Sequence, residues 1–170
     1  FGGTALNQEI MQGLPMAEHV CRKLTPLVAQ VLVSCNRNQA LYSRFAMHLV
    51  ADTLSDYPGP LAGILVGLQA MHSSHLLVVP CDLPAISAEL LRALQALSAQ
   101  HPERPVVVRQ GDRLQPLVCV IPRSLTATIE TAWAHGERSP NRLWQQLQAV
   151  ELVCAADDPQ LININSPDLL

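Results

Sequence analysis

The sequence predicts a three-layer α/β domain, in which a mainly parallel mixed sheet carries helices on both faces. Short apolar runs of strand length, such as 76–80 (LLVVP), alternate with stretches that have helical spacing. Continuously apolar strands are typical of parallel sheets, because helices cover both faces of such sheets. The alternation runs through all 170 residues without a repeat or a low-complexity linker, so we expect a single domain.

The N-terminal half begins with a predicted helix. Gly13 and Pro15 mark its start, and apolar residues at helical spacing continue to Leu27. Residues 30–35 (QVLVSC) then form a β-branched run of strand length. The other elements predicted in this half are a short helix over 38–45, a strand that ends at Asp52 and an apolar helix over 61–71.

The C-terminal half adds a predicted hairpin to the sheet. Residues 105–109 (PVVVR) and 114–121 (LQPLVCVI) flank the turn sequence QGDR, so one member of the sheet should be antiparallel. Ser87 is the predicted N-cap of a helix that continues to about residue 100. The other elements predicted here are the strand over 76–80, helices over 125–135 and 141–147, a strand over 150–154 and a final strand in LININ.

The composition argues against several classes of protein. The net charge is −3, the pI is near 6.0 and no basic stripe is present, which argues against nucleic acid as a partner. No apolar run approaches the roughly 18 residues of a membrane span, and no leader peptide is visible. The five cysteines form no C-x-x-C pair and suit a reducing compartment. We therefore expect a cytoplasmic protein that binds neither membrane nor nucleic acid.

Polar residues follow three of the predicted strands at their carboxyl ends. They are the segment 34–37 (SCNR), Asp52 and Asp82. Ligands of α/β sheets bind beyond such ends, and the loop 59–63 (GPLAG) opens a helix whose first N–H groups could face an anion. Carboxylates alone repel phosphates, so a magnesium ion is the natural bridge between these acids and a phosphate ligand.

Asp82 is the strongest candidate among these polar residues. Asp82 follows the wholly apolar run 76–80 and lies between Pro80 and Pro84, whose rings restrict the backbone around it. Asp82 could instead serve only to cap the turn before Pro84, and Asp52 could serve only to bond local backbone. The predicted burial of the preceding strand favours a functional role for Asp82.

Six segments of the chain occur in the same order in one enzyme family, and the chain resembles that family, the MobA-type molybdenum cofactor guanylyltransferases. The resemblance covers nearly the whole chain and is most specific over 56–68 and 80–84. The six segments are SCNRNQALY (34–42), DTLSDYPGPLAGILVGL (52–68), LLVVPCDLP (76–84), LQPL (114–117), GERS (136–139) and NINSPDLL (163–170).

The resemblance implies a nucleotide-diphospho-sugar transferase-like fold. It also implies transfer of GMP from GTP to molybdenum-bound molybdopterin, with Mg²⁺ as the cofactor and pyrophosphate as the second product. The substrates would be GTP and a molybdopterin-type cofactor. Proteins that supply molybdopterin or that mature molybdoenzymes would be the further partners.

The resemblance also assigns site residues. Asp82 matches the family's magnesium ligand, which makes it both the catalytic and a GTP-binding residue, and Asp52 matches a GTP-contacting acid. Ser34 falls where the family often has an asparagine that contacts the nucleotide. The remaining matches are Gly2 and Gly3 at the end of a Leu-Ala-Gly-Gly turn that binds GTP, and Asn163 and Asn165 on the pterin side.

The chain departs from the family pattern after Gly3. The family continues with an Arg-Met-Gly segment and then a lysine, whereas this chain continues TALNQEIMQGLPM. Lys23 is the only lysine, and it lies well inside the following predicted helix, beside Arg22. We expect that 1–170 is a single nucleotidyltransferase domain and that its first strand and phosphate loop are missing from these residues. The reason is that a sheet without its first strand would expose an edge.

Other functions remain open at this point. The protein could be a non-catalytic relative that binds a nucleotide or a pterin, if the phosphate loop is truly absent. It could also be a cytidylyltransferase that acts on the same cofactor, because Ser34 leaves the choice of base open. A Rossmann dehydrogenase is disfavoured, since FGGTAL does not provide the G-x-G-x-x-G turn that this class needs.

Overall fold

The computed structural model describes residues 10–11, 14–34, 48–50 and 59–163, with side chains described over 17–33 and 59–163. The predicted helix over 38–45 and the sequence beyond Asn163 lie outside these ranges. The described strands are β1 (Ile10–Met11), β2 (Leu14–Pro15), β3 (Leu32–Ser34), β4 (His48–Val50), β5 (His75–Val78), β6 (Val106–Gln110), β7 (Arg113–Pro122) and β8 (Val150–Cys154). The described helices are α1 (Met16–Leu24), α2 (Pro60–Ala70), α3 (Ala88–Gln100), α4 (Thr126–Ala134) and α5 (Pro140–Gln146).

The largest described sheet has four strands in the order β5-β7-β6-β8. Strand β7 is antiparallel to both β5 and β6, whereas β6 and β8 are parallel. Three of the four strands therefore run in one direction and β7 runs in the other, as the predicted hairpin requires. Strands β3 and β4 form a separate parallel pair, and β1 and β2 form a short antiparallel hairpin.

The turn between β6 and β7 consists of Gly111 and Asp112. Gly111 has a φ of +55°, and an added Cβ would lie 2.8 Å from the Cβ of Ala156. A two-residue hairpin of type II′ places a positive-φ glycine at this position, because the twist of that turn matches the twist of the strands. The hairpin predicted around QGDR is therefore confirmed.

Two apolar clusters lie on opposite faces of the four-stranded sheet. Val107 of β6 belongs to the first cluster, whereas its neighbours Val106 and Val108 belong to the second, because side chains alternate between faces along a strand. Helices α2, α4 and α5 contribute buried residues to the first cluster, and α3 contributes them to the second. Helices cover both faces, so the predicted three-layer arrangement is confirmed.

The connection between α4 and α5 is organised by one carboxylate, Glu137. It accepts hydrogen bonds from the side chain of Arg142 and from the backbone amides of Ser139 and Arg138, each at 2.8 Å. The bond from Arg142 contributes most, and together these bonds lower the pKa of Glu137 to about 2. Arg138 in turn lies over the ring of Trp133, 3.7 Å from its centroid. Glu137 therefore fixes the N-terminus of α5.

Strand β5 differs from the prediction in two respects. It ends at Val78, so Asp82 lies in a turn beyond the strand rather than at its end. Its four residues are half-buried rather than wholly buried, because β5 pairs only with β7 among the described strands. The expectation of a fully buried strand was wrong, and the position of Asp82 depends on the turn and on what surrounds it.

The final predicted strand is also different in its described part. A 3₁₀ turn covers Pro159–Leu161, and Asp158 caps it by accepting a hydrogen bond from the amide of Gln160 at 3.0 Å. Proline lacks an N–H donor, and it suits the first turn of a helix better than a strand interior. None of the helices within the described ranges is long and apolar enough to cross a membrane.

Candidate active site

The candidate site is centred on Asp82. The side-chain amide of Asn163 donates a hydrogen bond from Nδ2 to Asp82 Oδ2 at 3.1 Å, across 81 residues of sequence. The other carboxylate oxygen, Oδ1, is buried and has no hydrogen-bond partner among the described residues. Buried polar atoms are normally satisfied, so this carboxylate oxygen is available to a ligand or an ion.

The loop that follows Asp82 is anchored in the second apolar cluster. Leu83 and Ile86 are both fully buried there against α3. The loop closes on itself through the amide of Ile86, which donates to the carbonyl oxygen of Leu83 at 3.2 Å. Ser87 then caps α3 by accepting from the amide of Leu90 at 3.1 Å, as predicted. The packing of Leu83 and Ile86 against α3 therefore fixes the position of the loop, and with it that of Asp82, relative to the sheet.

The segment that carries Asn163 is anchored in the same apolar cluster as the Asp82 loop. Leu161 is buried in the second apolar cluster, two residues before Asn163. The Gln160 side chain accepts a hydrogen bond from the amide of Ser87 at 3.1 Å, and the Gln110 side chain donates to the carbonyl oxygen of Asp158 at 3.2 Å. The C-terminal segment is thus tied both to the start of α3 and to the sheet.

Lys23 reaches this loop from α1. Its Nζ donates a hydrogen bond to the carbonyl oxygen of Pro84 at 2.5 Å, and burial lowers its pKa. The sequence placed Lys23 inside a helix and gave it no role. Its status as the only lysine of the chain was the one signal that marked it.

The electrostatics of Asp82 favour a cation. Burial raises the pKa of this carboxyl, and its own backbone amide and the Asn163 side chain partly oppose that rise. The charged form of Asp82 is therefore energetically unfavourable unless a positive charge approaches Oδ1. Within the described ranges no group of three or more His, Cys, Asp or Glu residues could hold a metal. One carboxylate completed by water and phosphate oxygens is a donor set that suits Mg²⁺.

The other residues named from the sequence are described only in part. Ser34 ends β3, and its backbone pairs with Val50 of β4. Asp52 comes two residues after Val50 and lies outside the described ranges. The three other residues named from the sequence, Gly2, Gly3 and Asn165, also lie outside them. The structure brings together Asp82 and Asn163, which the sequence had assigned to different substrates.

An apolar groove separates the β3–β4 pair from the four-stranded sheet. One cavity in this groove has a volume of about 420 Å³. Leu32 and Val33 of β3 line one side, and Leu76 and Val78 of β5 line the other. A second cavity of about 350 Å³ also has Leu32 and Leu76 in its lining. The groove is bounded by the edges of two strands that have no partner on this side among the described strands.

The chain belongs to a class of protein, the nucleotidyltransferases. Residues 2–150 match the family model described as the MobA-like NTP transferase domain, and the chain therefore belongs to that family. More particularly, the chain is 46% identical over 158 residues to the molybdenum cofactor guanylyltransferase of Pseudomonas fluorescens strain Pf0-1, with 93% of this chain and 79% of that protein covered. The sequence-based prediction of the family and of the enzyme class is confirmed.

Solved structures support the fold. The crystal structure of molybdopterin-guanine dinucleotide biosynthesis protein A from Archaeoglobus fulgidus matches with a TM-score of 0.75 at 21% identity, covering 98% of this chain and 87% of that chain. A Mycobacterium tuberculosis protein in complex with manganese matches with a TM-score of 0.69 at 12% identity, covering 97% of this chain and 88% of that chain. At these identities the likeness concerns the fold alone, and the predicted nucleotidyltransferase fold is confirmed.

Proposed function

We propose that the protein transfers GMP from GTP to molybdenum-bound molybdopterin and releases pyrophosphate. The observation that carries the proposal is the buried Oδ1 of Asp82, which has no hydrogen-bond partner among the described residues, in a chain that belongs to the MobA-like family. The name of the Pseudomonas fluorescens relative supplies the identity of the nucleotide and of the acceptor. A phosphate oxygen of molybdopterin would attack the α-phosphorus of GTP, and the bond between that phosphorus and the bridging oxygen to the β-phosphate would break.

Asp82 would hold the magnesium ion through Oδ1, while Asn163 fixes the orientation of the carboxylate through Oδ2. When bound, the ion would neutralise negative charge on the phosphates of GTP. The chain's own contribution is to hold the carboxylate still and partly shielded from water, because a preorganised charge loses little energy to reorganisation during the reaction. Such a direct displacement needs no protein nucleophile.

The other proposed contacts follow the resemblance. Gly2, Gly3, Ser34 and Asp52 are the proposed GTP contacts, and Asn163 and Asn165 are the proposed pterin contacts. The bond between Asn163 and Asp82 supports this arrangement, because the acceptor phosphate must approach the metal-bearing carboxylate for transfer to occur. We further propose that the protein works in the cytoplasm with proteins that deliver molybdopterin and receive the finished cofactor.

We also propose that another strand belongs in the groove between β3 and β5. An extended apolar strand would pair with both strand edges and fill the cavities of about 420 and 350 Å³. Leu32 and Leu77, which line both cavities, would then be covered by its side chains. That strand would lead into the phosphate loop of a single nucleotidyltransferase domain.

The test of the main proposal is Asp82→Asn in the full-length protein, with magnesium-dependent transfer from α-labelled GTP as the assay. We expect turnover to be lost and the fold to be retained. Burial already disfavours the charged carboxyl in the folded state, so a neutral amide should not cost stability. Asp157→Asn, at an exposed position, is the matched control and should leave turnover unchanged.

Two results would contradict the proposal. Turnover retained by Asp82→Asn would show that this carboxylate does not serve the reaction. Thermal stabilisation by CTP with Mg²⁺, in the absence of any stabilisation by GTP with Mg²⁺, would refute GTP as the nucleotide substrate.

A further inference from the structure

We propose that Lys23 is a positioning residue for Asp82, and that its hydrogen bond to the Pro84 carbonyl sets the affinity of the site for a metal–nucleotide complex. The inference rests on the proposed role of Asp82 as the metal ligand. It gives a role to Lys23, for which the sequence suggested none, and it makes α1 part of the site.

The geometry of the bond supports a positioning role. Lys23 Nζ lies 2.5 Å from the carbonyl oxygen of Pro84, which is 61 residues away in sequence and two residues beyond Asp82. A hydrogen bond from a charged donor is roughly twice as strong as a neutral one. The bond therefore ties α1 to the loop at a point where a small backbone shift would move the carboxylate.

The neighbouring cation on α1 behaves differently. Arg22 is exposed and forms an ion pair with Glu18 one turn earlier, at 2.8 Å. Lys23 instead turns inward, although burial lowers its pKa and so disfavours its charge. An ammonium group that is partly shielded from water is stabilised by an acceptor, and Pro84 provides it. The contact is thus specific to Lys23 and is not a general property of this basic helix end.

Lys23 acts through the backbone rather than through a direct ion pair. No ion pair joins it to Asp82 among the described residues, and the pKa of Asp82 responds to burial, to its own amide and to Asn163. The loop is then held from three directions. Leu83 packs from below, Lys23 bonds from α1, and Gln160 bonds the amide of Ser87 from the C-terminal segment.

The experiment compares Lys23→Met with Arg22→Met in the full-length protein. GTP affinity is measured by isothermal titration calorimetry with Mn²⁺ and again with EDTA, so that the metal-dependent part is separated from the contacts with base and ribose. We expect Lys23→Met to weaken the Mn²⁺-dependent affinity by roughly tenfold or more, since groups that orient a metal ligand have effects of this size. We expect the affinity in EDTA to stay unchanged. Arg22→Met should leave both affinities unchanged.

A second measurement tests whether Lys23 acts through the backbone of the loop that carries Asp82. Hydrogen exchange of a peptide that spans residues 80–87 should become faster in Lys23→Met and stay the same in Arg22→Met. Unchanged Mn²⁺-dependent affinity, or a loss of affinity with unchanged exchange in this loop, would overturn the proposal. If Lys23→Met does not fold, Lys23→Gln is measured in the same way, because its side chain is one bond shorter and carries no charge.

Asp82→Asn in the same titrations separates this inference from the proposed function. If Asp82→Asn leaves the Mn²⁺-dependent affinity unchanged, Asp82 is not the metal ligand and the proposed function fails. If Asp82→Asn weakens that affinity and Lys23→Met does not, the proposed function stands and only the role of Lys23 is refuted.

Discussion

Leu83→Ala tests whether packing beneath the candidate site holds Asp82 in place. Leu83 is fully buried in the second apolar cluster, directly after Asp82 in sequence. The substitution removes three carbon groups, each worth about 0.8 kcal/mol when buried, so the transfer contribution is about 2.4 kcal/mol. The cavity left behind adds to this, and buried leucine-to-alanine changes cost about 2–5 kcal/mol in all. We expect the free energy of unfolding to fall by about 3 kcal/mol.

The assay is urea denaturation of the full-length protein, followed by circular dichroism. A loss of this size corresponds to a fall in Tm of roughly 6–12 °C for a domain of this length. Val153→Thr is the control, because Val153 is 69% exposed and the change keeps a β-branched side chain in β8. It should change the unfolding free energy by less than about 0.5 kcal/mol. A loss below about 1 kcal/mol for Leu83→Ala would refute the account of the loop's anchorage.

Two further predictions concern the ends of elements. Glu137→Gln should lower the unfolding free energy at pH 7, because the mutation weakens the bonds to Arg142 and to the amides at the start of α5. The pKa of Glu137 lies near 2 in the folded protein, below its ordinary value of 4.5, so its contribution is complete above about pH 5 and is lost towards pH 2. The unfolding difference between wild type and Glu137→Gln, measured across that range, should therefore shrink as the pH falls, and a constant difference would contradict the assignment. Gly111→Ala should destabilise the hairpin more than Gly136→Ala does, because both glycines have positive φ but only the first would bring a Cβ to 2.8 Å from Ala156. Equal losses in thermal unfolding would show that the contact with Ala156 is relieved without cost.

The sequence predicted those features that depend on neighbours along the chain. The β6–β7 hairpin was predictable because QGDR provides a glycine where the turn needs positive φ. The cap of α3 was predictable because Ser87 directly precedes a helical pattern, and it does accept a hydrogen bond from Leu90. The final strand was predicted from LININ, but its described residues 161–163 are not in a strand, because Leu161 ends the 3₁₀ turn and the two residues after it have no regular structure.

The features that sequence reasoning missed join distant parts of the chain. Asn163 and Asp82 are 81 residues apart, and Lys23 and Pro84 are 61 residues apart. No local pattern carries such information, because the pairing is decided by how helices and loops pack on the sheet. Asp82 itself was found from its setting between two prolines, although the strand before it is shorter and more exposed than the sequence indicated.

The bond between Asn163 and Asp82 has a consequence for the order of events during biosynthesis. The two residues are separated by helices α3, α4 and α5 and by three strands, so a ribosome completes most of the sheet before it synthesises the 3₁₀ turn over Pro159–Leu161. Contacts of such long sequence separation form late, since the intervening chain must close a large loop first. A chain that terminates before this turn would keep the carboxylate but lose the amide that orients it. We therefore expect incomplete nascent chains to be inactive even when their hydrophobic core has formed.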